Sequence, residues 1–252
     1  ILKVVNKLIY GPGGVINLNS CDISDILKIL YDNTFKCTSC KNGEWYQFEN
    51  HKWTKLDSPV KLRQICKSKI HQLYLDKVKD FKIKKIQEQN EKNMQNAMND
   101  NEQTTTNNND VKQLNQKMTA LYQKLNKLRD TTFLNLVLKE AQNDFYDLSQ
   151  NFLQDLNEKR NLICFNNGVF DLDKIGDNPF REGRPEDKQS FCTNIDYVPL
   201  ELDNPEQRKI HNQIQNFLRK ILPKKDVREY TLKLMSSFLH GSTKNEQFHF
   251  WT

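Results

Sequence analysis

Between Gln87 and Asp110 the chain reads QEQNEKNMQNAMNDNEQTTTNNND, in which Met94, Ala97 and Met98 are the only apolar side chains. So little apolar surface cannot offset the entropy of ordering the backbone. Residues 87–110 are therefore expected to form a flexible insertion, and any core has to come from the flanks. The hydrophobic content of 37% over 252 residues is enough for that. The division expected is an aromatic hairpin plus basic helix over 1–86, the insertion over 87–110, a helical domain with an embedded β-hairpin over 111–240, and the first strand of a further domain over 241–252. The class is α+β, predominantly α-helical with small β-hairpins.

Helical spacing appears first at residues 22–33, where Ile23, Ile26, Leu27, Leu30 and Tyr31 share a face behind an Asp or Ser cap. Trp45 and Phe48 form one aromatic run and His51 and Trp53 the next, with Glu49 and Asn50 between them as a hairpin turn. Pro59 opens a long helical pattern from Val60 to Ile86. Two helices are expected over 111–129 and 131–156, carried by Leu114, Met118, Leu121, Leu125 and Leu128, then by Phe133, Val137, Leu138, Ala141, Phe145, Leu148 and Phe152. In LICFNNGVFDL (162–172) the triplet Asn166, Asn167, Gly168 separates two apolar runs, and these residue types tolerate the positive φ of a tight turn. An ordered loop follows over 180–200, ending in a short strand near Tyr197. Residues 205–239 read as helix with a break at Pro223 and a stop at Gly241. The final EQFHFWT is a buried-strand pattern that leads nowhere, as expected of a piece of a longer chain.

Charge is unevenly placed. The formal total is +6, yet residues 52–85 hold eleven Lys or Arg against three Asp. Lys67, Lys69, Lys77, Lys79, Lys82, Lys84 and Lys85 are the candidate DNA contacts, since a basic helix face can follow phosphates without reading bases. A merely solvated face fits the same pattern. Trp45, Tyr46, Phe48 and Trp53, beside Lys52 and Lys55, are either a base-stacking platform or a small core.

Catalytic chemistry has no signature here. Cys37 and Cys40 have metal-like spacing, but zinc takes four ligands and no second tight pair exists, so structural zinc is not expected. The six cysteines are read as reduced thiols of an intracellular protein. Arg181, Glu182, Arg184 and Asp187 interleave opposite charges and read, with Asn167 and Gly168, as an ion-paired structural loop rather than an acid–base site. No Gly-x-x-x-x-Gly-Lys-Ser/Thr occurs, and Gly11-Pro12-Gly13-Gly14 lacks the lysine and following helix of a phosphate cradle. No run of eighteen apolar residues and no signal-peptide pattern is present, so a soluble chain without membrane contact is expected.

Three segments, FKCTSCKNGEWYQFENHKWTKLDS, LICFNNGVFDL followed by FREGRPED, and REYTLKLMSSFLHGSTKNEQFHFWT, occur in that order. Together they resemble the domain preceding the superfamily III helicase core in primase-helicases of nucleocytoplasmic large DNA viruses, the poxvirus-type and mimivirus-type replicative NTPases. The resemblance covers about 20–85 and 130–252. It implies a non-catalytic fragment next to a motor that uses ATP and Mg2+, with DNA, further copies in a hexameric ring and a processivity factor as partners. It also implies a viral factory in the host cytoplasm, or the nucleus, as the location. Two other readings stay open: a pure oligomerisation module, and a protein-docking surface.

Overall fold

The computed structural model describes Ile9, residues 18–98, Gln116 and residues 118–241. The Gly11–Gly14 turn, residues 99–110 of the Asn-rich stretch, Leu114 and the strand expected in 246–252 lie outside the described residues. The fold is α+β and mainly helical, with two small three-stranded sheets. It forms two compact units, Ile1–Tyr46 with Lys55–Leu148, and Gln47–Thr54 with Ser149–Thr252.

In the first unit, helix α1 (Ser20–Tyr31) starts two residues earlier than its apolar spacing suggests. Its cap is Asn19, whose Oδ1 accepts from the Asp22 N–H at 2.7 Å, rather than an Asp or Ser. Ile23, Ile26 and Leu27 are fully buried. Strands β1 (Phe35–Ser39), β2 (Glu44–Glu49) and β3 (Lys52–Leu56) form the first sheet in sequence order. The β2–β3 turn is Asn50-His51, both in the left-handed region at φ 51° and 66°, one residue later than expected.

After Pro59 the helix is not uniform. Helix α2 (Val60–Ile65) passes through a π-helical turn (Cys66–Ile70) into α3 (His71–Met98). The buried residues are Leu62, Cys66, Ile70, Tyr74 and Val78, at steps of four. In a regular α-helix each four-residue step drifts about 40° around the axis. The wider π turn rotates the chain back and keeps the stripe on one face. Val78 is the last buried residue among those described on this helix, and Ile83 and Ile86 are exposed. The backbone stays helical to Met98, through the first half of the stretch expected to be flexible. The Gln, Glu, Lys and Met there are good helix formers and need no core.

Residues 118–126 are helical and end in a 3₁₀ turn (Lys127–Arg129). Helix α4 (Thr131–Asp144), capped by Asp130 Oδ1 on the Phe133 N–H at 2.8 Å, packs Leu134, Val137, Leu138 and Ala141 against α1. It stops twelve residues short of the expected Leu156. Cys37 N–H donates to Phe145 O at 2.9 Å and Asp147 N–H to Cys37 O at 3.0 Å, so β1 takes the backbone bonds a longer helix would have used.

The second unit contains α5 (Phe152–Asp155) and an antiparallel sheet of β4 (Leu162–Phe165), β5 (Gly168–Asp171) and β6 (Phe180–Arg181). Phe165 faces Gly168 across a two-residue loop, so the expected hairpin forms. Its turn differs, because neither Asn166 nor Asn167 is among the positive-φ residues. Gly168 is there for space: a Cβ would lie 2.6 Å from the Arg181 carbonyl oxygen and 2.6 Å from the Phe180 ring. No strand forms near Tyr197. Helices α6 (Pro205–Ile221) and α7 (Lys225–Phe238) flank Pro223, and Gly241, at φ 59°, follows the last turn.

Candidate functional site

The basic helix is built by the buried stripe on its other side. With Leu62 to Val78 turned inward, Lys67, Lys69, Lys79 and Lys82 are exposed, while Lys77 and Lys85 are partly covered. Lys84 is on the helix backbone, and its side chain is outside the described set. These lysines do not form one row. At about 100° per residue, Lys79 and Lys82 project to one side of the buried stripe and Lys77 to the other, while Lys85 falls in line with the stripe itself. Acids temper part of the field: Lys77 Nζ is 3.6 Å from Asp80 and Lys79 Nζ 3.8 Å from Asp76. Lys69 Nζ lies 5.8 Å from the Tyr31 ring centroid. Lys67 and Lys69 come from the π turn, and Lys79 and Lys82 are the exposed cations of α3 before Lys85.

The aromatic candidates divide. Trp45 is fully buried in the first unit, 5.8 Å from the Phe145 ring. In the second unit Trp53 is 2% exposed, its ring 5.6 Å from Phe48 and 5.0 Å from Phe152, and its Nε1–H donates to Pro185 O at 2.8 Å. Both tryptophans are core, with no face left for a base. Tyr46 and Phe48 are partly buried.

The loop residues read as structural converge in the second unit. Arg181 grips Asp187 with two bonds, Nη1 to Oδ2 at 2.7 Å and Nη2 to Oδ1 at 2.8 Å, and the Arg184 N–H adds a third at 2.8 Å. Burial works against the Asp187 charge, but the Arg181 and Arg184 bonds outweigh it and hold this carboxyl below the ordinary range. Pairing is narrower than the interleaved sequence suggests: Lys188 turns to Asp155 at 2.5 Å, and Glu182 and Glu186 are exposed. Asn167 acts as a backbone mimic, its amide donating to Tyr197 O and accepting from Tyr197 N–H, both at 2.9 Å.

Sequence reasoning missed three members of this framework. His51 Nδ1 accepts from the Gly183 N–H at 3.0 Å, and a Cβ on Gly183 would meet the His51 Cβ at 2.6 Å. Trp53 N–H donates to Gln189 O at 2.7 Å. Asn157, at φ 67°, holds Ser190 N–H and Oγ, both at 2.7 Å. An Asn that tolerates left-handed backbone was the only available signal for the last of these.

Among the described residues no group of three His, Cys, Asp or Glu side chains converges as a metal site. Cys40 Sγ donates to Gln142 O, and burial pushes the Cys37 thiol up to about 12. Among the described residues no helix is long and apolar enough to cross a membrane.

Comparison with known proteins gives a family. A family model described as "D5 N terminal like" matches residues 24–223. The chain is 35% identical over 230 residues to L207/L206 of Acanthamoeba polyphaga mimivirus, a protein named as a supposed helicase. That match covers 91% of this chain and 21% of the relative. Similarly named proteins are 121R of Invertebrate iridescent virus 3, 32% identical over 55% of this chain and 14% of its own length, and 184R of Invertebrate iridescent virus 6, 31% identical over 38% and 9%. The chain thus spans about a fifth or less of the length of these relatives.

Proposed function

The chain belongs to the D5 N terminal like family, the N-terminal domain family of large DNA virus primase-helicases, and from that premise we propose that it is an accessory domain beside an ATP-driven DNA helicase motor. It lends the parent protein a sequence-independent grip on DNA, single-stranded or forked, and surface for assembling a hexameric ring in the viral factory or nucleus. ATP and Mg2+ serve the parent's motor, and no phosphate-cradling Gly-Lys-Ser/Thr loop occurs in these 252 residues.

The observation that supports this reading best is the basic helix. Its apolar stripe fixes it to the first unit from Leu62 to Val78, while Lys67, Lys69, Lys79 and Lys82 remain exposed. Ammonium groups held this way meet phosphates by charge alone, which gives affinity that falls steeply with salt and ignores sequence. Burial of both tryptophans argues against base stacking there and for backbone contact.

A titration of this chain with fluorescent single-stranded and duplex DNA from 0.05 to 0.5 M salt tests the reading. Changing Lys67, Lys69, Lys79 and Lys82 to Glu is expected to lower affinity at least about tenfold and flatten the salt slope by up to about four contacts. Unchanged binding by the folded variant would discard the helix as the DNA contact. A second reading, a protein-interaction module without nucleic-acid contact, is favoured by the apolar side chains exposed on α6 and α7.

A further inference from the structure

All six cysteines are free thiols, and the proposed grip on DNA makes no use of Cys164 or Cys192. Both belong to the second unit. Strand β4 pairs with β5 along one edge. Residues 193–195 follow its other edge: Thr193 N–H donates to Cys164 O at 2.9 Å, and Asn166 N–H donates to Ile195 O at 3.0 Å. The two segments run in the same sense there, with a kink at Asn194, where φ is 59°. The Thr193 bond therefore sets Cys192 beside Cys164, and Cys192 packs against the small core of Leu162, Cys164 and Val169. Adjacent strands stand about 4.8 Å apart, inside the span of about 4.4–6.8 Å between Cα atoms that a disulfide bridges.

The two thiols are unequally placed. Cys164 is 3% exposed, and its Sγ reaches His51 O and Phe165 O at 3.6 Å each. Burial first, then the neighbouring Cys192, pushes this thiol up to about 12, so it stays protonated and resists direct oxidation. Cys192 is half-buried, so solvent reaches it, and the Asn194 N–H points at its sulfur at 3.5 Å. Cys37 and Cys40 also meet, but they are three positions apart in the chain, so a bond between them would fasten nothing distant.

We infer that Cys192 and Cys164 form an oxidant-sensitive pair whose disulfide fastens the segment leading to α6 onto β4. Hydrogen peroxide is the oxidant. The Cys192 thiolate attacks one peroxide oxygen and the O–O bond breaks, leaving a sulfenic acid and a hydroxide that takes up the proton Cys192 had lost. The Cys164 sulfur then attacks the Cys192 sulfur, the S–O bond breaks, and the hydroxyl leaves as water with the Cys164 proton. Two thiols and one peroxide thus give one disulfide and two waters. The product is neutral, which suits a place where burial penalises a thiolate. Excess thiol reverses the bond, so the pair rests open under reducing conditions and closes when oxidant rises.

Stoichiometric peroxide added to the folded 252-residue chain, followed by alkylation and peptide mapping by mass spectrometry, is the test. A peptide pair linked through Cys164 and Cys192 is expected, and dithiothreitol should release it. Amide exchange at Thr193 and Asn166 should slow at least about tenfold in the linked chain. Cys164→Ser should leave Cys192 as a sulfenic acid that dimedone traps, whereas Cys192→Ser should leave Cys164 unmodified. Both thiols remaining alkylatable after peroxide would overturn the pairing, as would linkage that forms only in urea. Cys192 passing on to sulfinic acid while Cys164 stays free overturns it too. Unchanged exchange in the linked chain would show that the bond fastens nothing.

Discussion

Asp187 shows what one carboxylate can organise. It is 4% exposed and receives three hydrogen bonds, two from Arg181 and one from the Arg184 backbone, which close the loop after β6. Its folded pKa is lowered, so its contribution to stability is complete above the ordinary carboxylate value of about 3.9 and is lost as pH falls through the lowered folded value. Acid titration followed by tryptophan fluorescence should therefore show the Trp53 environment intact at pH 5 and failing below about 4. Asp187→Asn should cost about 2 kcal/mol at pH 7, less than a fully buried pair because Arg181 is a quarter exposed, and should remove that acid dependence. Tyr74 presents the opposite case. Its ring is 1% exposed and its hydroxyl has no hydrogen-bond partner among the described residues, so Tyr74→Phe should leave melting unchanged or raise stability by up to about 1 kcal/mol.

Among the elements, those defined by a short-range rule were readable from sequence. Both hairpins, α1, and the helices either side of Pro223 follow from apolar spacing and turn residues. What escaped was decided by distant partners. The helix expected to reach Leu156 ends at Asp144 because Cys37, more than a hundred residues earlier, takes its backbone bonds. The π turn is visible only as a four-residue stripe too long for a regular helix to keep on one side. The basic helix was legible as a candidate site, but not its division into two flanks, nor the burial of Trp45 and Trp53, which composition leaves open. The capping of α4 is local and can be measured directly. Asp130→Ala removes the acceptor for the Phe133 N–H and should cost about 1 kcal/mol in thermal denaturation, with α4 fraying at its first turn.

For the whole molecule, the position of charge matters more than its sum. The surplus of eight positive charges in residues 52–85 exceeds the total of +6, so the remaining chain is slightly acidic. Heparin retention should consequently fall much further for Lys79→Glu with Lys82→Glu than for Lys174→Glu with Lys209→Glu, although both pairs change the formal charge equally. Equal losses would show that the field is spread over the surface rather than concentrated on the helix. The grip of Asn167 on Tyr197 bears finally on how the protein ages. An asparagine followed by glycine readily loses its amide when the next backbone nitrogen attacks the side-chain carbonyl, and Gly168 stands in that place. Two bonds to one neighbour hold the amide still, so the native fold delays its own chemical decay. Once unfolding releases it, the aspartate left behind has no N–H to give Tyr197, and the damaged chain returns with one fastening fewer.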